Sequence, residues 1–551
     1  MIHFFSVKKS VHHLDAFLLA LVLNMKICCD RYPLLPVSLL VLAGVVCADV
    51  SRHGLSLSGV MSVGACSLLV ALLTWRRPVG RYFVLLPWFF VGMVALLRAE
   101  RRLAVGHLSV DGIHEMVVVE EPVVGEQGVS AVVELVSGDW VGRKARVTCV
   151  GLDKESNISP VALGEGIVAR CSLRPTEELR NESFRRYLKV HDIAFVGRLM
   201  PWQYRSKALP LDGLPKWDRV MLLARQMRHR WVDKLGEAGL SGQQLAVVAA
   251  MTIGDKSRLT AATKDMFSAA GTSHLLALSG THLAILYAVL SLLLRDFPFL
   301  LGRGRLLVCE FISLSLVWGY VWLVGLSPSV VRAAMMITVL SLARMAGRGH
   351  SPVNTLSLAA LLMVSVDAMS VFDVSFQLSF LSVLSIVTLV PLFDGWLAAL
   401  FPSDRIHETF SRRQSPAVRY LLMSTMASLA AQIGTAPLVL YHFGVCSFCS
   451  VVANWMAIPL TTVILYLSLG FFLAVVLPTP ASVGAFLSAM LTLSVSLLMR
   501  IHEAIASLPF AMVSGARVNL LQVILMYVVI ILFLEIVERI VQIRQKSIFA
   551  D

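Results

Sequence analysis

The sequence predicts a polytopic α-helical membrane protein with an extracytoplasmic β-barrel domain inserted after three N-terminal spans. Three observations carry this reading. Of the 551 residues, 57% are hydrophobic and 15% charged, and the mean hydropathy is +0.76, whereas a soluble chain carries about a quarter charged residues. Apolar runs long enough to cross a bilayer recur along the chain. A single long polar stretch, 99–240, separates the first three runs from the rest.

The N-terminus comes first. Residues 14–23 (LDAFLLALVL) are too short to span and are followed by MKICCDRY, so 1–30 reads as an extension and Met25 as the expected start. Spans follow at 34–50, 55–75 and 82–98, within a segment 31–98. The loop WRRPVGR between the second and third is strongly basic, which places it in the cytoplasm and the next segment outside. Arg98, Arg101 and Arg102 lie on that outer flank and run against the rule. The net charge of +13 follows in part from such cytoplasmic loops, so it is weak evidence for a nucleic-acid partner. Of nine cysteines, Cys446 and Cys449 (CSFC) form the one Cys-x-x-Cys, with no second pair or histidine pair nearby, which favours a structural role.

Segment 99–200 reads as a small β domain. EMVVVEEPVV, VSAVVELVSG, RKARVTCVG, EGIVARCSL and DIAFVGRLM are short β-branched runs separated by Gly-containing turns. Five such strands fit an oligonucleotide/oligosaccharide-binding (OB) barrel, and a sandwich fragment fits the same runs. Cys149 and Cys171 fall in two of these strands. In an oxidising compartment they could pair as a disulfide, and two buried free thiols fit equally. The basic excess follows in 201–242 and just before it, from Arg180 to Arg230. From Trp217 to Leu235, apolar residues recur at helical spacing (Val220, Leu223, Met227, Trp231, Leu235). That helix suits a lipid headgroup layer or a basic collar for a polyanion at a pore mouth.

From 243 to 540 the chain is almost continuously apolar. Spans are expected near 274–294, 306–325, 329–346, 353–369, 374–393, 419–440, 450–476, 481–500 and 519–537, some of them re-entrant or split. The tail 541–551 is basic and reads as cytoplasmic. Ionisable and other polar groups in such a core are functional candidates. They include Asp255, Lys256 and Arg258 in IGDKSRL, His274 and His282, Arg332, and Asp373 with Gln377, followed by Gln432, His442 and Asn454. Each also fits a structural pair or an interfacial position.

The stretch GTSHLLALSGTHLAIL, 271–286, is the most polar of the spans. Ser279 and His282 share a helix face, yet neither GTSHL nor LSGTH completes the Gly-x-Ser-x-Gly/Ala element of rhomboid-type intramembrane proteases, so catalytic residues are not assigned. His274 and His282 stand about 80° apart around a helix, and HExxH is absent, so neither a metal site nor a cofactor is assigned. Gly280 beside Ser279 and Thr281 instead permits a helix break and close packing, with the polar groups lining or bracing an aqueous route.

An ordered set of motifs resembles the ComEC competence family, the inner-membrane DNA channels of natural transformation. NESFRRYLKVHDIAFVG, with Asn181, Phe184, Tyr187, Leu188 and Ile193, is similar to the segment closing the family's β domain. IGDKSRLTAATKDMFSAAGTSHLLALSGTHLAIL is similar to its Gly-x-x-His-Leu-x-x-Ile-Ser-Gly-x-His element, with Leu278 in place of Ile. SPSVVRAAMM, VSFQLSFLSVLSI and TAPLVLYHFG…VVANWMAIPL match further motifs in order.

The resemblance implies that single-stranded DNA passes through the membrane core of the inner membrane. The implied lining or core-motif residues are Asp255, His274, Ser279, Gly280, His282, Arg332, Gln377 and Asn454. Arg332 is the choice for a phosphate contact, and an ion pair with Asp367 or Asp373 fits it equally. Trp140, Phe184, Arg185, Arg186 and Tyr187 are the candidate DNA contacts of the outer domain, where a packing role fits each aromatic equally. Many family members carry a metallo-β-lactamase-like domain with a His-x-His-x-Asp-His motif. That motif does not occur in these 551 residues, so this chain reads as a short form, not itself an enzyme, with a separate nuclease. Further implied partners are DNA-delivering receptor proteins on the outer face, a cytosolic motor or single-strand-binding protein, and a second copy in a homodimer. The interior of the cell is electrically negative, so the strand's own charge opposes entry. The rival readings are an intramembrane hydrolase using Ser279 and His282 and a small-molecule transporter.

Overall fold

The computed structural model describes residues 32–51, 56–74, 85–103, 110–125, 128–150, 161–209, 214–276, 278, 280–295, 303–347, 351–400, 416–477, 480–509, 511–515 and 518–548. The expected start at Met25, the basic loop with Arg76, Arg77 and Arg81, and Ser279 lie outside the described residues.

Helices α1 (Leu34–Val50), α2 (Leu57–Thr74) and α3 (Leu86–Leu103) occupy the three N-terminal runs. α1 and α3 cross at two reciprocal glycines. A methyl group on Gly44 would overlap the carbonyl of Phe89, and one on Gly92 would overlap that of Val41. Such close backbone approach is how apolar helices gain contact where no hydrophobic force separates them from lipid.

The outer domain contains β1 (Val110–Val118), β2 (Val123–Gly125), β3 (Gly128–Leu135), β4 (Lys144–Cys149), β5 (Gly166–Pro175), helix α4 (Glu182–Val190), β6 (Ile193–Leu199) and β7 (Tyr204–Ser206). The strands run β1-β3-β4-β6-β5 and close back from β5 to β1. All barrel pairings are antiparallel except β4–β6, which is parallel. Renumbered along the chain, the five barrel strands have order 1-2-3-5-4-1, an OB-like topology. Residues alternate in and out, as in β4, and Met116, Val133, Leu173 and Phe195 fill the interior. Asn181 caps α4, its side chain accepting the Phe184 N–H at 3.1 Å.

α5 (Lys216–Glu237) is the predicted amphipathic helix, but its packed face differs from expectation. Leu222, Ala224, Val232 and Leu235 are buried, whereas Val220 and Leu223 are exposed. The reason is that α5 packs against two bodies at once. Leu222 packs with Val117 and Val119 of the barrel, and Val232 and Leu235 pack into the membrane core.

The core follows with α6 (Gly242–Val248), a π-turn (Ala249–Ile253), α7 (Ala261–Ala269), α8 (Gly280–Arg295), α9 (Arg303–Leu323), α10 (Pro328–Met345), α11 (Pro352–Val366), α12 (Val374–Leu400) and α13 (Pro416–Phe443). A ribbon of β8 (Val445–Ser447) and β9 (Met512–Ser514) ties together the ends of α13 and α15, between which run α14 (Ser450–Val476) and α15 (Ala481–Ala506); α16 (Leu520–Ile548) closes the chain. Among the described residues seven helices, α9, α10 and α12 to α16, are long and apolar enough to cross a membrane. α1, α2, α8 and α11 are shorter apolar helices. The expected span 274–294 is corrected at its start, because regular helix begins only at Gly280.

Candidate nucleic-acid path and outer-domain interface

Where the chain leaves α7, Gly271 takes a left-handed conformation at φ +74°, which glycine adopts without steric cost. A single 3-10 turn, Ser273–Leu275, follows, and α8 starts at Gly280. The interruption is packed on protein: Ser447 Oγ donates to the Ala269 carbonyl at 2.9 Å, and a Cβ on Gly280 would stand 3.3 Å from that of Ala333 on α10. The His274 side chain has open space beside it although it lies deep among the segments of the core, as an electrostatic neighbour of His282 and His502. His282 and His502 are buried. His502 stacks on Phe267 with ring centroids 4.3 Å apart, and its Nδ1 donates to the Leu498 carbonyl at 2.8 Å.

The other core residues pair helices. Arg332, 2% exposed, donates to Ser375 Oγ at 2.6 Å and stands 3.7 Å from Asp373 Oδ2, joining α10 to α12. Of its two readings from sequence, the ion pair with Asp373 is the one present. Gln377 donates to the Val371 carbonyl at 3.0 Å. Asn454 donates to Ser428 Oγ at 3.0 Å, Gln432 to Ser450 Oγ, and Trp455 Nε1 to Thr425 Oγ1 at 3.0 Å, so several side-chain hydrogen bonds join α13 and α14.

Sequence reading missed Glu310. It is buried on α9, accepts from Tyr287 and Ser341 hydroxyls at 2.6 Å each, and lies 3.8 Å from Arg344. A lone acid in the apolar run LLVCEFISL was the available signal. His502 was missed as well.

Asp255 stands at the seam between core and outer domain, beside Gly254 (φ +80°), where a Cβ would lie 4.0 Å from that of Leu278. The Asp255 Oδ1 accepts from Ser257 N–H and hydroxyl at 2.9 and 2.7 Å. At the same seam Arg228 on α5 is 2.8 Å from Glu121 Oε1, and Arg225 is 3.2 Å from Glu120. These two arginines of the predicted basic collar are thus neutralised by the barrel. Burial pushes the Glu121 carboxyl up to about 7, with Arg228 opposing and Asp255 adding to the rise. Glu121, His229 and Asp255 each bring one ligand-type atom to within 4.8 Å of the others.

On the outer domain, Phe184 and Tyr187 stack at 6.4 Å, and Tyr187 lies 4.2 Å from the His191 ring. The Arg146 guanidinium stands 5.7 and 5.9 Å from the Phe184 and Tyr187 rings. Tyr187 is 46% exposed, so the array presents ring faces and a cation at the surface. Arg185 is half-buried. Arg186 and Trp140 are committed elsewhere. Arg186 pairs with Asp49 of α1 at 3.2 Å, and Trp140 packs edge-on against Phe195 at 5.6 Å. Cys149 and Cys171 are free and buried. β6 runs between their strands, and two strand spacings of about 4.8 Å exceed the reach of a disulfide. Burial raises both thiols, Cys171 to about 11.

Fold and site together define a multi-pass membrane protein whose OB-like domain is braced onto a core with a broken polar element. Residues 251–539, just over half of the chain, match the family model described as "Competence protein". The chain belongs to that competence family. It is 27% identical over 216 residues to ComE operon protein 3 of Bacillus subtilis (strain 168), covering 39% of this chain and 24% of that protein. The matched stretch therefore spans about a quarter of that relative's length. No solved structure matches. The family match covers the membrane core, not a metallo-β-lactamase-like nuclease domain.

Proposed function

We propose that this protein takes up single-stranded DNA across the cytoplasmic membrane during natural transformation. Family membership supports a role in competence and DNA uptake. The observation that carries the finer reading is the non-α-helical stretch from Gly271 to Leu276, which leaves open space beside His274 deep within an apolar bundle. Irregular backbone at membrane depth is stable only against protein or water, and a polyanion needs a wet, polar route. The outer domain faces away from the cytoplasm in this reading, and the Arg146–Phe184–Tyr187 array offers bases a stacking platform. Arg332 and Asn454 act as braces between helices, and His274, His282 and His502 stand nearest the route. A receptor delivers the DNA, another polypeptide removes the second strand, and a cytosolic motor or single-strand-binding protein draws the strand inward. A photo-reactive residue introduced at position 274 should cross-link to a labelled strand during uptake. Cross-links at position 187 with none at position 274 would place the route elsewhere.

A further inference from the structure

The seam between the outer domain and the membrane core holds a constellation of ligand-type side chains. Glu121 lies in the loop after β1, His229 on α5, and Asp255 in the loop after the π-turn. Asp255 is 1% exposed, and its Oδ2 is buried with no N–H or O–H donor among the described residues; the carboxylate faces the Glu121 carboxyl, with which it can share a proton or a cation. An ionised oxygen left so is costly unless a cation or a proton satisfies it. Three atoms within 4.8 Å of one another have a common centre no more than about 2.8 Å from each. Small side-chain rotations bring that to the 2.0–2.2 Å of zinc–nitrogen and zinc–oxygen bonds.

We propose that Glu121, His229 and Asp255 bind a divalent transition-metal ion, of the zinc class, that clamps the OB-like domain to the membrane core through α5. One imidazole and two carboxylates form a mixed nitrogen–oxygen set suited to zinc-class ions. His229 is half open to solvent, which provides an entry path and room for water to complete the coordination. Arg228 holds only Oε1 of Glu121. Above about pH 7, where Glu121 is ionised beside Asp255 and Arg228 and His229 is neutral, this local set carries one net negative charge, which favours a cation. The three ligands come from three separate elements, so the ion joins what the chain connects only through long segments.

The full chain, purified in detergent and stripped with EDTA, is titrated with Zn2+ and with Co2+. The proposal predicts about one Zn2+ per chain and visible d–d bands on Co2+ addition that Zn2+ abolishes. His229→Gln, a change at an exposed position, should weaken binding at least about tenfold, and Asp255→Asn should do the same. His274→Gln should leave binding intact. A wild-type chain that binds no stoichiometric ion would overturn the proposal and leave a proton shared by the two carboxyls. Binding unaffected by His229→Gln, or lost in His274→Gln, would overturn it too.

Discussion

Glu134 and Lys144 face each other across β3 and β4, but the lysine turns away. Its ammonium lies 3.2 Å from Asp218 on α5, and both Glu134 oxygens are buried without a hydrogen-bond partner. The outer domain thus gives up a potential internal pair for one with α5. Burial, reinforced by Asp218, pushes the Glu134 carboxyl from 4.5 up to about 7. A folded-state value above the unfolded one means that the folded state holds the extra proton. Stability is therefore retained below about pH 4.5 and is lost as pH rises through 7. Glu134→Gln should stabilise the protein by about 1–3 kcal/mol at pH 8 and leave it little changed at pH 4.5, as read by thermal melting at both values.

Arg186 reaches from α4 of the outer domain to Asp49, which is buried in α1. Breaking a buried pair by removing one partner destabilises by about 3–5 kcal/mol. Arg186 is partly open, so Arg186→Ala should cost about 2–3 kcal/mol, and Asp49→Asn together with Arg186→Ala should cost less than the sum of the single changes. A double-mutant thermal-melting cycle measures this coupling.

The α1–α3 crossing should tolerate no side chain. Gly92→Leu forces the helices apart and should destabilise by about 1–3 kcal/mol or more. Gly484→Leu, at a glycine of α15 with open space around it, should be close to neutral. The two melting temperatures report the difference.

Tyr187→Ala and Arg146→Ala should each weaken binding of a short labelled single strand to the full chain. Loss of one stacked base is worth about 1–3 kcal/mol, or roughly 5- to 150-fold. Trp140→Ala should instead lower the melting temperature and spare affinity, because Trp140 packs on Phe195. Fluorescence anisotropy and melting curves on the same preparations separate the two effects.

The five barrel strands were legible because β-branched runs and glycine turns mark them locally. β2 and β7, three residues each, lack enough alternation to register. α4 lay hidden inside a motif read as the close of the β domain, although Asn181 is a clear N-cap. A break beside Gly280 was legible from Ser-Gly in an apolar run, but the span was drawn from residue 274, ahead of the start of α8 at Gly280. Side-chain partnerships were not. Arg332 fitted a phosphate contact as well as an ion pair, and only packing against α12 chose Asp373. Glu121, His229 and Asp255 meet through three elements far apart in the chain, which no local spacing encodes. The packed face of α5 was misplaced because it serves two partners, with Leu222 turned to the barrel and Leu235 to the core.

The central claim is tested most directly by uptake itself. In a transformable strain deleted for this gene, labelled DNA entering a nuclease-protected compartment should fall to background and return with the wild-type gene. A version lacking the outer domain, and Arg332→Ala made with it as a separate strain, should each restore little of that signal. Uptake that persists at wild-type level in the deletion strain would contradict the account.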